Sequence, residues 1–187
     1  MKSLIPLYET AAARLDRTAD WLLPTLARFL FAAILLVYFW KSALTKLGDG
    51  VFGLFSPASG AYAQIFPRAF EAAGYDTSQL GLFHWAVALA GTWAEFLLPA
   101  LVVLGLLTRL AALGMIGFVA LQTLTALYGH GVIAEPKSLG AWFDGMPDSL
   151  ILDLRALWLF LLITLVLKGA GPLSLDRLLG ARLQPAT

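Results

Sequence analysis

The chain has 187 residues, 59% of them hydrophobic and 13% charged, with a formal net charge of +1 and no cysteine. A mean hydropathy of +0.79, with about half the ~25% charged residues of an average soluble domain, is the composition of a membrane protein, and no basic tail or patch points to nucleic acid. The lack of cysteine excludes disulfides, thiolate metal sites, iron–sulfur clusters and covalently attached c-type haem, so redox chemistry would need a bound organic cofactor, a non-covalent haem or another subunit.

At the N-terminus, Leu4, Ile5, Tyr8, Ala11, Ala12, Leu15, Ala19 and Leu22 recur at helical spacing, with Glu9, Asp16 and Arg17 on the remaining faces. This pattern predicts an amphipathic interfacial helix over 1–23. It lacks the apolar core of a signal peptide, and no small-x-small cleavage site directly follows the first span, so it is expected to stay in the mature chain. Trp21 and Pro24 mark the point where the chain turns into the membrane, tryptophan being favoured at headgroup level. A first span is predicted at about 24–45. The loop from Lys46 to Gln79 carries Phe52, Leu54, Phe55, Tyr62, Ile65, Phe66 and Phe70, too apolar and too long for a plain linker. Within it Tyr62, Ile65, Phe66, Ala69, Phe70 and Ala73 keep helical spacing despite Pro67, predicting a short helix on the membrane or over the bundle mouth as a lid.

The second and third spans are predicted at about 82–107 and 110–129, joined by a tight turn at Thr108 and Arg109. No Asp, Glu, Lys or Arg occurs from Leu110 to Ala134, more than the ~20 residues that cross ~30 Å of hydrocarbon. A second loop, Gly131 to Ser149, carries Pro136, Gly140, Trp142, Phe143 and Pro147 and leads to a fourth span at about 150–168. Leucine and alanine dominate without the alternation of a transmembrane barrel, and no period of 20 to 50 residues repeats. The reading is an all-α integral membrane four-helix bundle with an N-terminal interfacial helix: a segment 1–23, one four-span domain 24–180 and a tail 181–187. Threading four spans places Lys2, Arg14, Arg17, Arg28, Arg109, Lys168, Arg177 and Arg182 on one face and Lys41, Lys46, Arg68, Lys137 and Arg155 on the other. The basic excess predicts a multi-pass protein with both termini cytoplasmic.

Depth along the spans sorts the polar residues. Glu95 is the only charged residue between Asp76 and Arg109. A carboxylate near the bilayer centre costs about 2.5–3.5 kcal/mol on insertion scales, so such groups face an interior and pair. Lys41, in the outer part of the first span, is its expected partner, either as a proton-relaying or ligand-binding pair or as a structural ion pair. Gln122 and Thr125 lie in the outer half of the third span, and Asp153 and Arg155 open the fourth. Together they predict a polar pocket opening outward. His84 and His130, the only histidines, fall at the outer ends of neighbouring spans. Three readings stand: axial ligands of a non-covalent haem, a copper or zinc site completed by Asp153 or Glu135, or plain interfacial residues. Arg155 with Trp158 suits a polar ring bearing carbonyl oxygens, such as a quinone headgroup, or Arg155 pairs with Asp153 or Asp148. Gln122 can bond a ligand or a neighbouring helix, and Trp85 can stack on a ligand or belong to the interface belt.

No nucleotide loop, nucleophile elbow or His-Glu-x-x-His motif occurs, which removes most hydrolases and nucleotide-driven pumps. Two stretches carry a resemblance: GLLTRLAALGMI from Gly105 to Ile116, and GAGPLSLDRLLG from Gly169 to Gly180. With Glu95 ten residues before the first, and with Lys41 and Lys46 in KSALTKLGDG, the chain resembles the DoxX-like four-span membrane proteins over about Arg28 to Leu179. The glycine usual before that lysine is replaced here by the bulkier YFWKSAL, which alters the pocket floor. The resemblance implies a bacterial inner-membrane protein. Some relatives are membrane subunits of thiosulfate:quinone oxidoreductase; others accompany redox-stress systems or copper-associated modified-peptide pathways.

The leading expectation is a membrane subunit of a quinone-linked oxidoreductase, with Glu95 and Lys41 as catalytic residues and His84, Trp85, Gln122, Arg155 and Trp158 around a quinone. The opposing one is a non-enzymatic membrane anchor or accessory protein for redox-stress, copper-handling or peptide-modifying partners. Both readings include a protein partner beside the lipid bilayer.

Overall fold

Four helices are long and apolar enough to cross a membrane: Ile5–Leu44, Leu82–Leu104, Thr108–Gly129 and Leu150–Lys168. The computed structural model describes residues 4–183, so Lys2 and the end of the 181–187 tail lie outside the described residues, as does the side chain of Arg182. The amphipathic segment and the first span form one helix that runs through Pro24 without a turn. Its 40 residues extend about 60 Å, twice the hydrocarbon thickness.

Its buried residues are Pro24, then Ala27, Phe31, Leu35, Phe39 and Ala43, the last five each four apart. A helix of 3.6 residues per turn rotates such a stripe by about 40° at every step. The π-helical stretch Ala32–Leu36 takes up part of that drift, and the stripe stays on the bundle. Aromatic packing fills the same level: Phe39 meets Phe118 of the third span and Trp158 of the fourth edge-on, at 6.0 and 6.1 Å.

The terminal face of the bundle is closed by one arginine. Arg28 donates from Nε to the Val102 carbonyl and from Nη2 to Val103, and from Nη1 to Ala170 and Leu173. It thereby caps the second span and holds the segment after the fourth. Gly105 ends the second span in the left-handed conformation (φ 67°). A Cβ there would lie 2.7 Å from the Arg28 guanidinium carbon, so only glycine leaves room. Asp176, at the start of the helix Leu175–Leu183, accepts from the backbone N–H of Leu107 and Thr108 at 2.7 and 2.9 Å, supplying the cap the third span lacks locally.

At the opposite, loop face the spans do not end level. Trp40 Nε1 donates to the Phe96 carbonyl at 3.2 Å, which sets residue 40 beside residue 96. The antiparallel first helix, ending at Leu44, therefore stops about 15 Å below Leu82, where the second begins. The space above it is taken by the loop itself: a 3-10 turn Val51–Leu54 and the helices Ser59–Ile65 and Pro67–Ala72. The predicted single short helix is two, broken at Phe66 with Pro67 starting the second. Irregular backbone at membrane depth survives only when its polar groups are satisfied within the protein. Here Trp93 and Trp85 donate to the Leu54 and Phe55 carbonyls, and Ala61, Tyr62 and Phe70 pack on Ala88.

Candidate functional site

The second span turns one stripe inward, Ala88, Thr92, Glu95, Pro99 and Val102, at alternating spacings of four and three. That periodicity puts Glu95 inside the bundle, 2% exposed. Pro99 has no N–H, so the Glu95 carbonyl four residues earlier loses its helical donor and the turn beneath the carboxylate is loosened.

Lys46, 3% exposed, meets this carboxylate. Its Nζ lies 2.7 Å from Glu95 Oε2 and also donates to Ser42 Oγ at 2.7 Å and to the Ser42 carbonyl at 3.3 Å. Ser42 Oγ in turn donates to Glu95 Oε1 at 3.3 Å. Positions 42 and 46 stand one turn apart on one face, so all three ammonium donors and both carboxylate oxygens are engaged. The expected partner, Lys41, is exposed and has no role in the pair. Depth counting favoured Lys41 because it assumed spans of equal reach. With the first helix ending low, Lys46 descends to Glu95. The signals that mark it are the Ser42 to Lys46 spacing and the second lysine of KSALTKLGDG.

Above the pair lies a cavity of about 620 Å³. Val87, Ala90, Gly91, Ala94 and Leu98 of the second span form one wall, and Gly114, Gly117, Phe118, Leu121 and Ala126 of the third form the other. Polar groups enter from every side: Ser42, Lys46 and Glu95 at the base, Gln122 and Thr125 on the third span, Arg155 on the fourth, Gln64 and His130 at the top. Arg155 is 5% exposed and donates from Nη1 to Thr123 Oγ1 at 2.7 Å, yet its Nε has no partner, and neither has the Gln122 Oε1 acceptor. Buried polar atoms in proteins are nearly always satisfied, so two orphans on residues that line one cavity are unusual.

The cavity is roofed. Gln64 Nε2 donates to Thr45 Oγ1 at 3.0 Å and His130 Nε2 lies 3.2 Å from the Gln64 carbonyl. Ile65 packs on Gly91 of the second span and Pro67 on Gly129 of the third; in each case a Cβ on the glycine would come within 3.3 Å of the roof side chain. The predicted lid thus touches both walls. Gln64 was not expected in the site, and Ile65 only as part of the lid; nothing in a loop sequence reports which span it will bridge.

Other expected site residues are placed elsewhere. His84 sits against the Phe66 and Phe83 rings, with centroids 4.8 and 5.7 Å away, and does not line the cavity. Trp85 is held by the Phe55 carbonyl, and Trp158 belongs to the aromatic core with Phe39 and Tyr38. The histidines therefore do not form a ligand pair with an acidic residue: Asp153 caps the fourth span through Ser149, and Glu135 accepts from Ser138. Among the described residues no group of three or more His, Cys, Asp or Glu side chains is disposed to hold a metal ion. Arg155 pairs with neither Asp153 nor Asp148 but with Thr123.

A second groove, about 680 Å³, opens at the terminal face beside Arg17, Asp20, Arg109 and Lys168. Lys168 is bonded to Asp20 at 2.8 Å, both exposed. Its charged lining is mostly solvated, and the one unpartnered buried polar atom among its described residues is the Thr108 hydroxyl.

Residues 23–128, more than half of the chain, match the DoxX family model. The match includes Ser42, Lys46, Glu95 and Gln122 and stops short of Arg155 and of the Gly169–Gly180 stretch. No curated protein and no solved structure matches the chain.

Proposed function

The chain belongs to the DoxX family, and from that premise we propose that it is the membrane subunit of a quinone-linked electron-transfer system, with the quinone headgroup in the cavity above Glu95. The observation that carries this reading is a cavity with apolar walls, an ionisable pair at its base, and the guanidinium residue Arg155 and the amide residue Gln122 among its lining. A quinone offers two carbonyl oxygens on a flat apolar ring. The Arg155 guanidinium suits one carbonyl as a charged donor, and the Gln122 amide suits the hydroxyl that replaces it on reduction.

Reducing a quinone adds two electrons and two protons. The electrons come from a partner protein; the protons pass through Glu95, whose hydrogen bonds to Lys46 and Ser42 provide a path for reloading. In a bacterial inner membrane with cytoplasmic termini, the cavity lies in the outer leaflet. Organic extraction of gently purified protein followed by mass spectrometry should yield quinone near one per chain. Glu95→Gln should abolish quinone turnover in the fraction that remains folded; normal turnover would remove Glu95 from the proton path.

A second reading, a non-enzymatic anchor for redox-stress, copper-handling or peptide-modifying partners, is favoured by one observation. Trp142, Phe143 and Met146 of the second loop are exposed side by side in sequence, as at a docking surface. Quinone-free protein that retains a soluble partner through purification would support it over the first.

A further inference from the structure

The cavity has a roof and a floor, and its opening lies at the side. At the bottom the second and third spans touch, since a Cβ on Gly114 would come 3.0 Å from Leu98. At the top the roof contacts both spans through Ile65 and Pro67. Between these closures the facing residues are small, and Ala90, Gly117 and Leu121 are exposed on the outer surface of the bundle while lining the cavity. A Cβ on Gly117 would meet nothing within 4 Å. Spans in lipid normally close over such small residues; here Gly117 borders open space, and Ala90, Gly117 and Leu121 lie both on the cavity and on the outer surface.

We infer that the cavity is entered sideways from the bilayer, through the seam between the second and third spans, and that its ligand carries an apolar tail lying in that seam. The polar lining meets the head: Glu95 and Arg155 line the cavity into which the seam leads. The seam runs from Leu98 up to Gly91 on one side and from Gly114 to Thr125 on the other, about 10 and 16 Å. That is room for a ring and the first units of a chain, the remainder lying among lipid tails. The roof then excludes water from the head while leaving the membrane path open. This inference rests on the quinone reading and adds the route and the tail.

The test is a comparison of two quinones in protein reconstituted into lipid nanodiscs, one with a ten-carbon tail and one without. Binding is followed by quenching of tryptophan fluorescence. Gly117→Phe fills the seam from an open position and should weaken the tailed compound by about tenfold or more, equivalent to ~1.4 kcal/mol, while changing the tailless one less than about twofold. Leu113→Phe, which places the same ring on the lipid-facing side of the same span away from the cavity, should behave as wild type and controls for folding. If Gly117→Phe affects both quinones equally or neither, the seam is not the route, and the headgroup site stands without it. If wild-type protein binds neither compound, the quinone reading falls and this inference with it.

Discussion

The Glu95–Lys46 pair is a buried charge pair whose members depend on each other. Removing one partner of such a pair typically costs about 3–5 kcal/mol, because the other is left charged and unpaired, whereas replacing both with apolar residues is often neutral. Lys46→Met should therefore lower thermal stability in detergent strongly, and Lys46→Met with Glu95→Leu should restore most of it. Lys41→Met should leave the melting temperature within error. A destabilised Lys41 variant with an unaffected Lys46 variant would reverse the assignment. The sequence shows that Glu95 needs a partner, because a lone carboxylate among Leu, Ala, Val and Phe has one physical explanation. Which lysine answers it depends on where the first helix stops relative to the second, a tertiary quantity set by Trp40 against Phe96. For the same reason Arg155 and Gln122 were legible as cavity residues from their depth, while Trp85, His84 and Trp158, judged by depth alone, face elsewhere.

At the scale of elements, the spans themselves were readable from length and hydropathy, and their ends were not. The third span begins at Thr108 only because Asp176, nearly seventy residues away, supplies its cap. That cap predicts a pH dependence. Burial works to raise the Asp176 pKa, but the Thr108 and Leu107 N–H groups and the nearby Arg28 guanidinium outweigh it and hold it below the ordinary aspartate range. The folded state thus keeps the carboxylate charged to lower pH than the unfolded chain does. Its stabilisation is complete above the unfolded value of about 3.9 and is lost as pH falls through the folded value. Asp176→Asn should cost about 1 kcal/mol near neutrality, as for other lost caps. The gap between variant and wild type should stay constant down to about pH 5 and narrow below about 3.9; a gap that widens in acid would contradict the cap. The loop between the first two spans is the element least legible in advance. Its aromatic content marks it as folded, but its sinking into the bundle follows from the short reach of the first helix.

The whole molecule is joined at its terminal face, where Arg28 of the first span fastens the second span and the segment after the fourth through backbone carbonyls alone. Arg28→Met should destabilise the bundle by at least about 3 kcal/mol, since charged hydrogen bonds contribute ~1.5–3 each. Arg28→Lys should recover only part, because an ammonium cannot reproduce the planar fork. Full rescue by lysine in a thermal melt would show that charge alone suffices. These bonds span up to 145 residues of chain, and that separation has a meaning in time. At about 5–20 residues per second of synthesis, the carbonyls of Ala170 and Leu173 emerge some 7 to 30 s after Arg28 has entered the membrane. Throughout that interval the nascent first helix carries an arginine without at least two of its four partners, and the terminal face can close only once the segment after the fourth span has been made.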